Sequence, residues 1–332
     1  MQNSIKDINF SDLFPDLFRK YKTAIIIFVK ILIASGLLYY VTSSVNLNEI
    51  FTAIENANLF MLSAAVILLL ANVYLQYWKW EVVCRDILNE TNKKKILISL
   101  FYGLSAGSFT PVRIGEYFGR AIMFKNKSFI QLTVATLIDK FFLMIIVAFF
   151  GALASILFVH YYYGITAYIT IALFVTIFLL FYLLIFLVIN PNIWKKPILK
   201  RIYASTKFKR VIKKFAIIKK LNKDLSLKLG IISALFFLCI LIQYVLLASA
   251  FSNQFDPKSF LWAGMLIFFT KTIIPPISIA DLGVREGASI FFLSVFGYSS
   301  AIGFNSSIFL FFINILIPAV FGLFLLLKKN NA

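Results

Sequence analysis

The chain has 332 residues, 61% of them hydrophobic and only 14% charged, with a net charge of +19. Soluble domains carry about 25% charged residues, so an ordinary soluble globular fold is excluded. Apolar runs of 18 or more residues point to membrane-crossing helices, and the sequence lacks the alternating segments of about ten residues that a closed β-barrel needs.

In chain order, residues 1–22 read as a short cytoplasmic segment, with Phe10, Leu13, Phe14, Leu17 and Phe18 spaced for a small interfacial helix. The run Thr23 to Val41 is too long for a signal-peptide core and predicts an uncleaved span over 23–42, from which Lys30 snorkels. Loop 43–57 holds Glu49 and Glu55 but no Lys or Arg, so it faces outside. A second span over 58–78 then ends at Lys79, Arg85 and Lys93 to Lys95, inside. Residues 97–112 are apolar but interrupted by Gly103, Ser105, Gly107, Ser108, Thr110 and Pro111. The stretch 113–124 is helix-compatible and ends at Lys125 and Lys127. Basic residues on both sides predict a hairpin that enters from the cytoplasm and returns to it, with its irregular backbone covered by protein or a water-filled cavity.

Spans over 129–159 and 165–189 follow, joined by an outer aromatic turn from His160 to Tyr163. Residues 190–228 contain thirteen Lys or Arg against Asp224 alone, which places +12 of the +19 in one loop. With no other nucleic-acid feature in the chain, that loop marks the cytoplasmic face and contacts anionic headgroups. Within it Phe208, Val211, Ile212, Phe215 and Ile218 share one helical face, the pattern of a helix lying in the interface; a solvated basic linker would carry the same charge. A span over 228–251 goes out. Residues 258–275 run inward to Pro275 and Pro276, and 282–297 run back, predicting a second hairpin that enters from outside. A last span over 299–327 ends at Lys328 and Lys329, inside. The expected fold is all-α and polytopic: six full spans and two opposed re-entrant hairpins in one transmembrane domain over 23–328, both termini cytoplasmic. Eight full spans would place the termini identically.

Two similar motifs stand out in the two halves. The first is Pro111-Val-Arg-Ile-Gly-Glu-Tyr-Phe-Gly-Arg120, and the second is Pro276-Ile-Ser-Ile-Ala-Asp-Leu-Gly-Val-Arg-Glu-Gly287. Each sets proline, Arg, Glu and two glycines four apart (Gly115 and Gly119; Gly283 and Gly287) into apolar sequence. Charges at membrane depth are costly and mark a site by default, and paired interruptions in two halves are how a transporter site shows in sequence. Arg113, Glu116 and Arg120 have the spacing of one helix face, and the glycines allow close backbone approach. Asp139 and Lys140, early in the next span, and Lys271, Asp281, Arg285 and Glu286 around the second break complete a candidate binding set with a cationic lean. Helix N-termini after the breaks would add positive dipole ends, so an anionic group such as a lipid phosphate is the expected ligand. Arg–Glu pairs that merely pin two hairpins together would leave the same pattern. His160, the sole histidine, has no acid or cysteine near it in sequence, so neither a metal site nor a histidine-based triad is expected. Cys84 and Cys239 are not expected to pair. There is no Gly-rich phosphate loop and no cofactor is expected.

Thr110-Pro-Val-Arg-Ile-Gly-Glu116 resembles a Thr-Pro-Gly-Arg-x-Gly-Glu segment, and the second motif resembles Pro-x-Ser-x-Gly-Gly-Leu-Gly-x-Arg-Glu. Both belong to the lysylphosphatidylglycerol synthase transmembrane region, or flippase-like, family, and the resemblance covers roughly residues 20–328. Asp139-Lys140 is similar to an acidic–basic pair of that family. Val112 and Ala280-Asp281 replace glycines of its pattern. The resemblance implies movement or binding of an anionic or polyprenyl-linked membrane lipid. Relatives of the multiple peptide resistance factor type add a cytosolic acyltransferase domain, which this chain, ending at Ala332, is not expected to have; synthase activity is therefore not expected with it. The alternatives are a membrane enzyme acting on a lipid-linked substrate, with Glu116 or Glu286 as acid or base, and a non-catalytic subunit of an envelope lipid or glycan synthesis complex. The expected location is a bacterial-type cytoplasmic membrane.

Overall fold

The computed structural model describes residues 46–190, 193, 220–274 and 283–330. Every regular element among them is helical. The expected N-terminal segment and span over 23–42 with Lys30, most of the basic loop with its interfacial helix, and Pro275, Pro276 and Asp281 lie outside the described residues.

Helix α1 (Leu47–Glu55) leads to α2 (Leu59–Asp86), capped by the Asn58 side chain on the amides of Phe60 and Met61. After α3 (Lys93–Ser108) and a 3-10 turn at Pro111–Arg113, the short α4 (Gly115–Ala121) folds back along α3. Long helices α5 (Phe129–Tyr163) and α6 (Ala167–Ile189) follow, then α7 (Lys223–Ser252). Next come α8 (Pro257–Ile273) and α9 (Val284–Val295). The last helix has two segments, α10 (Ser300–Phe311) and α11 (Ile317–Asn330), joined by a π turn at Phe312–Leu316. Five helical stretches are long and apolar enough to cross a membrane: α2, α5, α6, α7 and Ser300–Lys328. They coincide with five of the six expected spans. At about 1.5 Å per residue α3, α8 and α9 reach roughly 24, 26 and 18 Å, and α4 about 10 Å, each short of a hydrocarbon core of about 30 Å.

Several boundaries differ from the sequence reading. The third span does not end at 159: His160 to Tyr163, expected as the outer turn, continue the helix, and left-handed Gly164 ends it. The second span does not stop at Lys79 but continues to Asp86, because Lys79 is buried and ion-paired rather than solvated at an edge. The fifth span begins at Lys223, capped by Asn222, so Lys223, Asp224 and Lys228 belong to the helix and not to the basic loop.

Close approach of backbones builds the first hairpin. A Cβ at Gly115 would lie 2.2 Å from the Ala106 carbonyl oxygen, and one at Gly119 would lie 2.2 Å from that of Tyr102. Four residues forward on α4 match four residues backward on α3, so the two helices are antiparallel and held together at their glycines. In an open helix Gly→Ala gains about 1 kcal/mol. Here the sign reverses: Gly119→Ala must push two backbones apart, and we expect a loss of about 1–3 kcal/mol, read as a lower midpoint of thermal unfolding in detergent. An unchanged midpoint would remove the close-packed hairpin.

The core has two main regions. Trp80, Cys84, Leu100, Phe124, Leu132 and Leu229 pack around α3 and α4. Tyr244, Ala248, Phe260, Ile267, Ala288 and Leu310 pack around α8 and α9. Helix α7 passes through both and is the most buried of the long helices. The first region lies at a basic end, where the Lys220 ammonium donates to the Ile87 carbonyl (2.9 Å) and Asn89 (2.7 Å), and Lys95 pairs with Glu90. The second lies at the opposite end. There Asn253 donates to the Asn56 carbonyl and the Tyr298 hydroxyl to Asp256. Hydrogen bonds from Ser259, ahead of the one from Tyr298, hold the Asp256 carboxyl below the usual carboxylate range. The two short-helix pairs thus sit at opposite ends of one bundle. Helix α6 fully buries only Thr170 and Phe181, and much of its apolar surface is exposed.

Candidate functional site

Thr110 shapes the turn of the first motif. Its hydroxyl donates to the Ala106 carbonyl (2.9 Å) and accepts the Gly115 amide (2.7 Å). Between them Val112 and Arg113 adopt left-handed backbone, at φ 57° and 55°. Arg113 therefore stands in the 3-10 turn and not on the helix face that its spacing suggested, although its guanidinium still lies 3.6 Å from Glu116. A β-branched residue in this conformation is strained by roughly 1–2 kcal/mol. Val112 is 41% exposed, so glycine there forfeits only part of a side chain's packing. We expect Val112→Gly to raise stability by about 1 kcal/mol, the relieved strain exceeding the entropy cost of glycine; a lowered unfolding midpoint would contradict the strained turn.

Glu116 and Arg120, each only 3% exposed, form the centre of a buried charge cluster. Glu116 accepts from Arg120 (2.8 Å) and from the Lys140 ammonium (2.6 Å). Arg120 also donates to Asp139 (3.0 Å), and its guanidinium lies over the Trp80 ring at 4.2 Å. Asp139 faces Lys79 at 3.6 Å. Four bases (Lys79, Arg113, Arg120 and Lys140) thus surround two acids, leaving the cluster formally positive.

The second motif is arranged differently. Gly283, at φ 103°, supplies the N-cap of α9, and Glu286 turns back to accept the Gly283 amide at 2.7 Å. The chain's own carboxylate therefore takes a helix N-terminus that was expected to meet the ligand. The other Glu286 oxygen accepts from Arg285 (2.6 Å) and from the Ser307 hydroxyl (3.2 Å). Arg285 also donates to Ser307 (2.9 Å). Gly287 is buried and bonds back to the Gly283 carbonyl.

A cavity of about 300 Å³ brings the motifs together. Its lining includes Arg113 and Lys140 from the first half and Lys271 and Arg285 from the second. That volume is at the small end of ligand sites. The side chains of Arg113 and Lys140 remain 22% and 35% exposed, whereas Arg285 is 3% exposed. A separate apolar groove of about 670 Å³ between α5 and α6 shares Lys140 and Met144 with this cavity. The expected set is therefore divided. Arg113, Lys140, Lys271 and Arg285 line the cavity. Glu116 and Glu286 stand behind, Glu116 pairing with Arg113 and Lys140 and Glu286 with Arg285, while Arg120 links Glu116 to Asp139. Pro111, Gly115, Gly119, Gly283 and Gly287 build the turns.

Several residues escaped the sequence reading. Asn72, Gln76 and Lys79 are spaced i, i+4, i+7 in an apolar run and make one polar face of α2, a signal that was present. Gln243 bridges Asn72 and Asn314 and also bonds the Ala65 carbonyl. Ser307 had no distinguishing pattern.

A sequence model of the lysylphosphatidylglycerol synthase TM region matches residues 27–322. No curated protein and no solved structure gives a match.

Proposed function

The chain belongs to the lysylphosphatidylglycerol synthase TM region family, a multi-pass membrane protein family, and from that premise we propose that it is a lipid flippase. It binds the headgroup of an anionic or polyprenyl-linked lipid and carries it across a bacterial-type cytoplasmic membrane without chemical change. The observation that carries this reading is the convergence of Arg113, Lys140, Lys271 and Arg285, from the two halves, on one cavity. Four bases in a partly dry site favour a phosphate, which accepts from several of them at once. The apolar groove meeting the cavity at Lys140 gives an acyl or prenyl chain a place beside the head, open to the bilayer.

In this reading α3–α4 and α8–α9 are re-entrant hairpins, the first entering from the cytoplasm and the second from outside, within six full spans. Their shortness and their position at opposite ends of the bundle support it. Small movements of one hairpin against the other would open the cavity to either leaflet. The test is translocation of labelled phosphatidylglycerol and of a polyprenyl phosphate by the full chain in proteoliposomes, with mass spectrometry of the lipid afterwards. Faster transfer of unmodified lipid than in protein-free vesicles is expected. No acceleration, or a chemically altered lipid, would overturn the proposal.

A further inference from the structure

The stretch 43–57, expected as an outer loop, contains the nine-residue helix α1. A helix this short is marginal in water, and none of its residues is fully buried. Part of its support comes from the bundle. The Asn46 side chain accepts the Asn48 amide and caps the first turn. Ile50 packs with Ile290 of α9 and with Ala301 and Phe304 of α10. The Ile50 carbonyl also accepts from the Asn305 amide of α10 at 3.1 Å.

The rest of the helix surface is sorted by chemistry. At about 3.6 residues per turn its side chains fall into four sectors. Ile50 and Ala53, half-buried, face the bundle. Asn48, Thr52 and Glu55 point away from it and are exposed. One flank between these sectors carries Leu47, Phe51 and Ile54, all exposed. The other flank carries Glu49. The helix therefore lies against the bundle with one side apolar and the other acidic, which matches a boundary between hydrocarbon and water.

Its position agrees. Just after α1 the Asn58 amide donates to the Ala250 carbonyl of α7 (2.9 Å), at the end of the bundle opposite the basic one. Helix α2 then opens with Leu59 and Phe60 exposed, and Ile67 and Leu70 follow. The apolar flank of α1 thus runs on in sequence into the exposed apolar surface of a span. Helix α1 has no Lys or Arg, so attraction to anionic headgroups is not what would hold it.

We propose that α1 is a membrane-surface helix. It sinks Leu47, Phe51 and Ile54 into the boundary between headgroups and acyl chains, in the leaflet opposite the basic end, and holds α9 at a fixed depth. The hold on α9 follows from the packing. A Cβ at Gly303 of α10 would lie 2.8 Å from the Ile290 Cα and from the Ser289 carbonyl oxygen, so α10 and α9 meet backbone to backbone while α1 bears on both. The inference needs only a membrane-spanning chain and is independent of what the cavity binds.

The test places a nitroxide on Leu47→Cys, Phe51→Cys or Glu49→Cys, one at a time, in the full chain in phosphatidylcholine nanodiscs. Cys84 and Cys239 are buried, and the unsubstituted chain measures any label they take. At 47 and 51, oxygen, which concentrates in hydrocarbon, should relax the nitroxide more than a water-soluble nickel complex does. At 49 the order should reverse. Nickel prevailing at all three positions would put α1 in water. Neither reagent reaching 47 and 51 would mean that residues 23–42 or a second copy of the chain cover the flank. Either result overturns the membrane seat. Leu47→Asp combined with Phe51→Asp should speed hydrogen exchange of the α9 amides about tenfold, equivalent to ~1.4 kcal/mol, whereas Thr52→Asp should leave it unchanged. Equal exchange in all three chains would overturn the hold on α9.

Discussion

Glu116→Ala is expected to destabilise the protein by about 3–5 kcal/mol, the cost of stranding buried charge. Glu116 is the only acid within ion-pair distance of Lys140 and Arg113 among the described residues, and it shares Arg120 with Asp139. Removing it leaves three bases facing one another beside Asp139 and Lys79. Arg120 cannot be deprotonated, and it is buried with its guanidinium over the Trp80 ring. Unfolding in a denaturing detergent titration should therefore begin much earlier than for wild type. Glu116→Gln, which keeps the shape and one acceptor, should fall between the two. Glu55→Ala, at an exposed site in α1, provides the scale of an ordinary surface change. A Glu116→Ala loss no greater than that of Glu55→Ala would mean that the cluster is solvated and the buried-charge argument fails.

The largest functional effect is expected from Arg113→Gln combined with Lys271→Gln. Each removes one cation from the cavity lining, one from each half of the chain. Neither position is fully buried, and Glu116 keeps Arg120 and Lys140 after Arg113 is changed. The fold should therefore tolerate these changes better than a substitution of Arg285, which is 3% exposed and pairs with Glu286. Two charge-assisted hydrogen bonds to a phosphate are worth roughly 1.5–3 kcal/mol each, so translocation should fall by about a hundredfold or more. The single variants should each lose part of this. If the double variant moves lipid as fast as wild type, with unchanged unfolding, the cavity is not the headgroup site.

Much of this arrangement was legible in the chain. Apolar runs determined that the protein is helical and membrane-spanning, because a helix crossing hydrocarbon must satisfy its backbone internally and cover about 30 Å with apolar side chains. The breakers around Thr110 and Pro111 marked a helix too short to cross, and Gly115 and Gly119 marked where two backbones meet. The twin Arg–Glu motifs marked both ends of the candidate site. These are local properties, carried by residues a few positions apart.

Partnership was not legible, because it depends on which helix faces which. Lys79 looked like a membrane-edge lysine, yet it is buried against Asp139 from a helix sixty residues on. Arg113 had helical spacing from Glu116, but the left-handed turn takes it off the helix and toward the cavity. Asn72, Gln243 and Asn314 lie on three different spans and become a network only when those spans pack. The sequence by itself determined an all-helical membrane protein with two charged, broken segments. Only the tertiary structure decided that acids from one segment hold its bases in place, and that bases from both converge on a single cavity. Charge at membrane depth is costly enough to be seen residue by residue, whereas its compensation comes from distant parts of the chain and exists only once they are packed together.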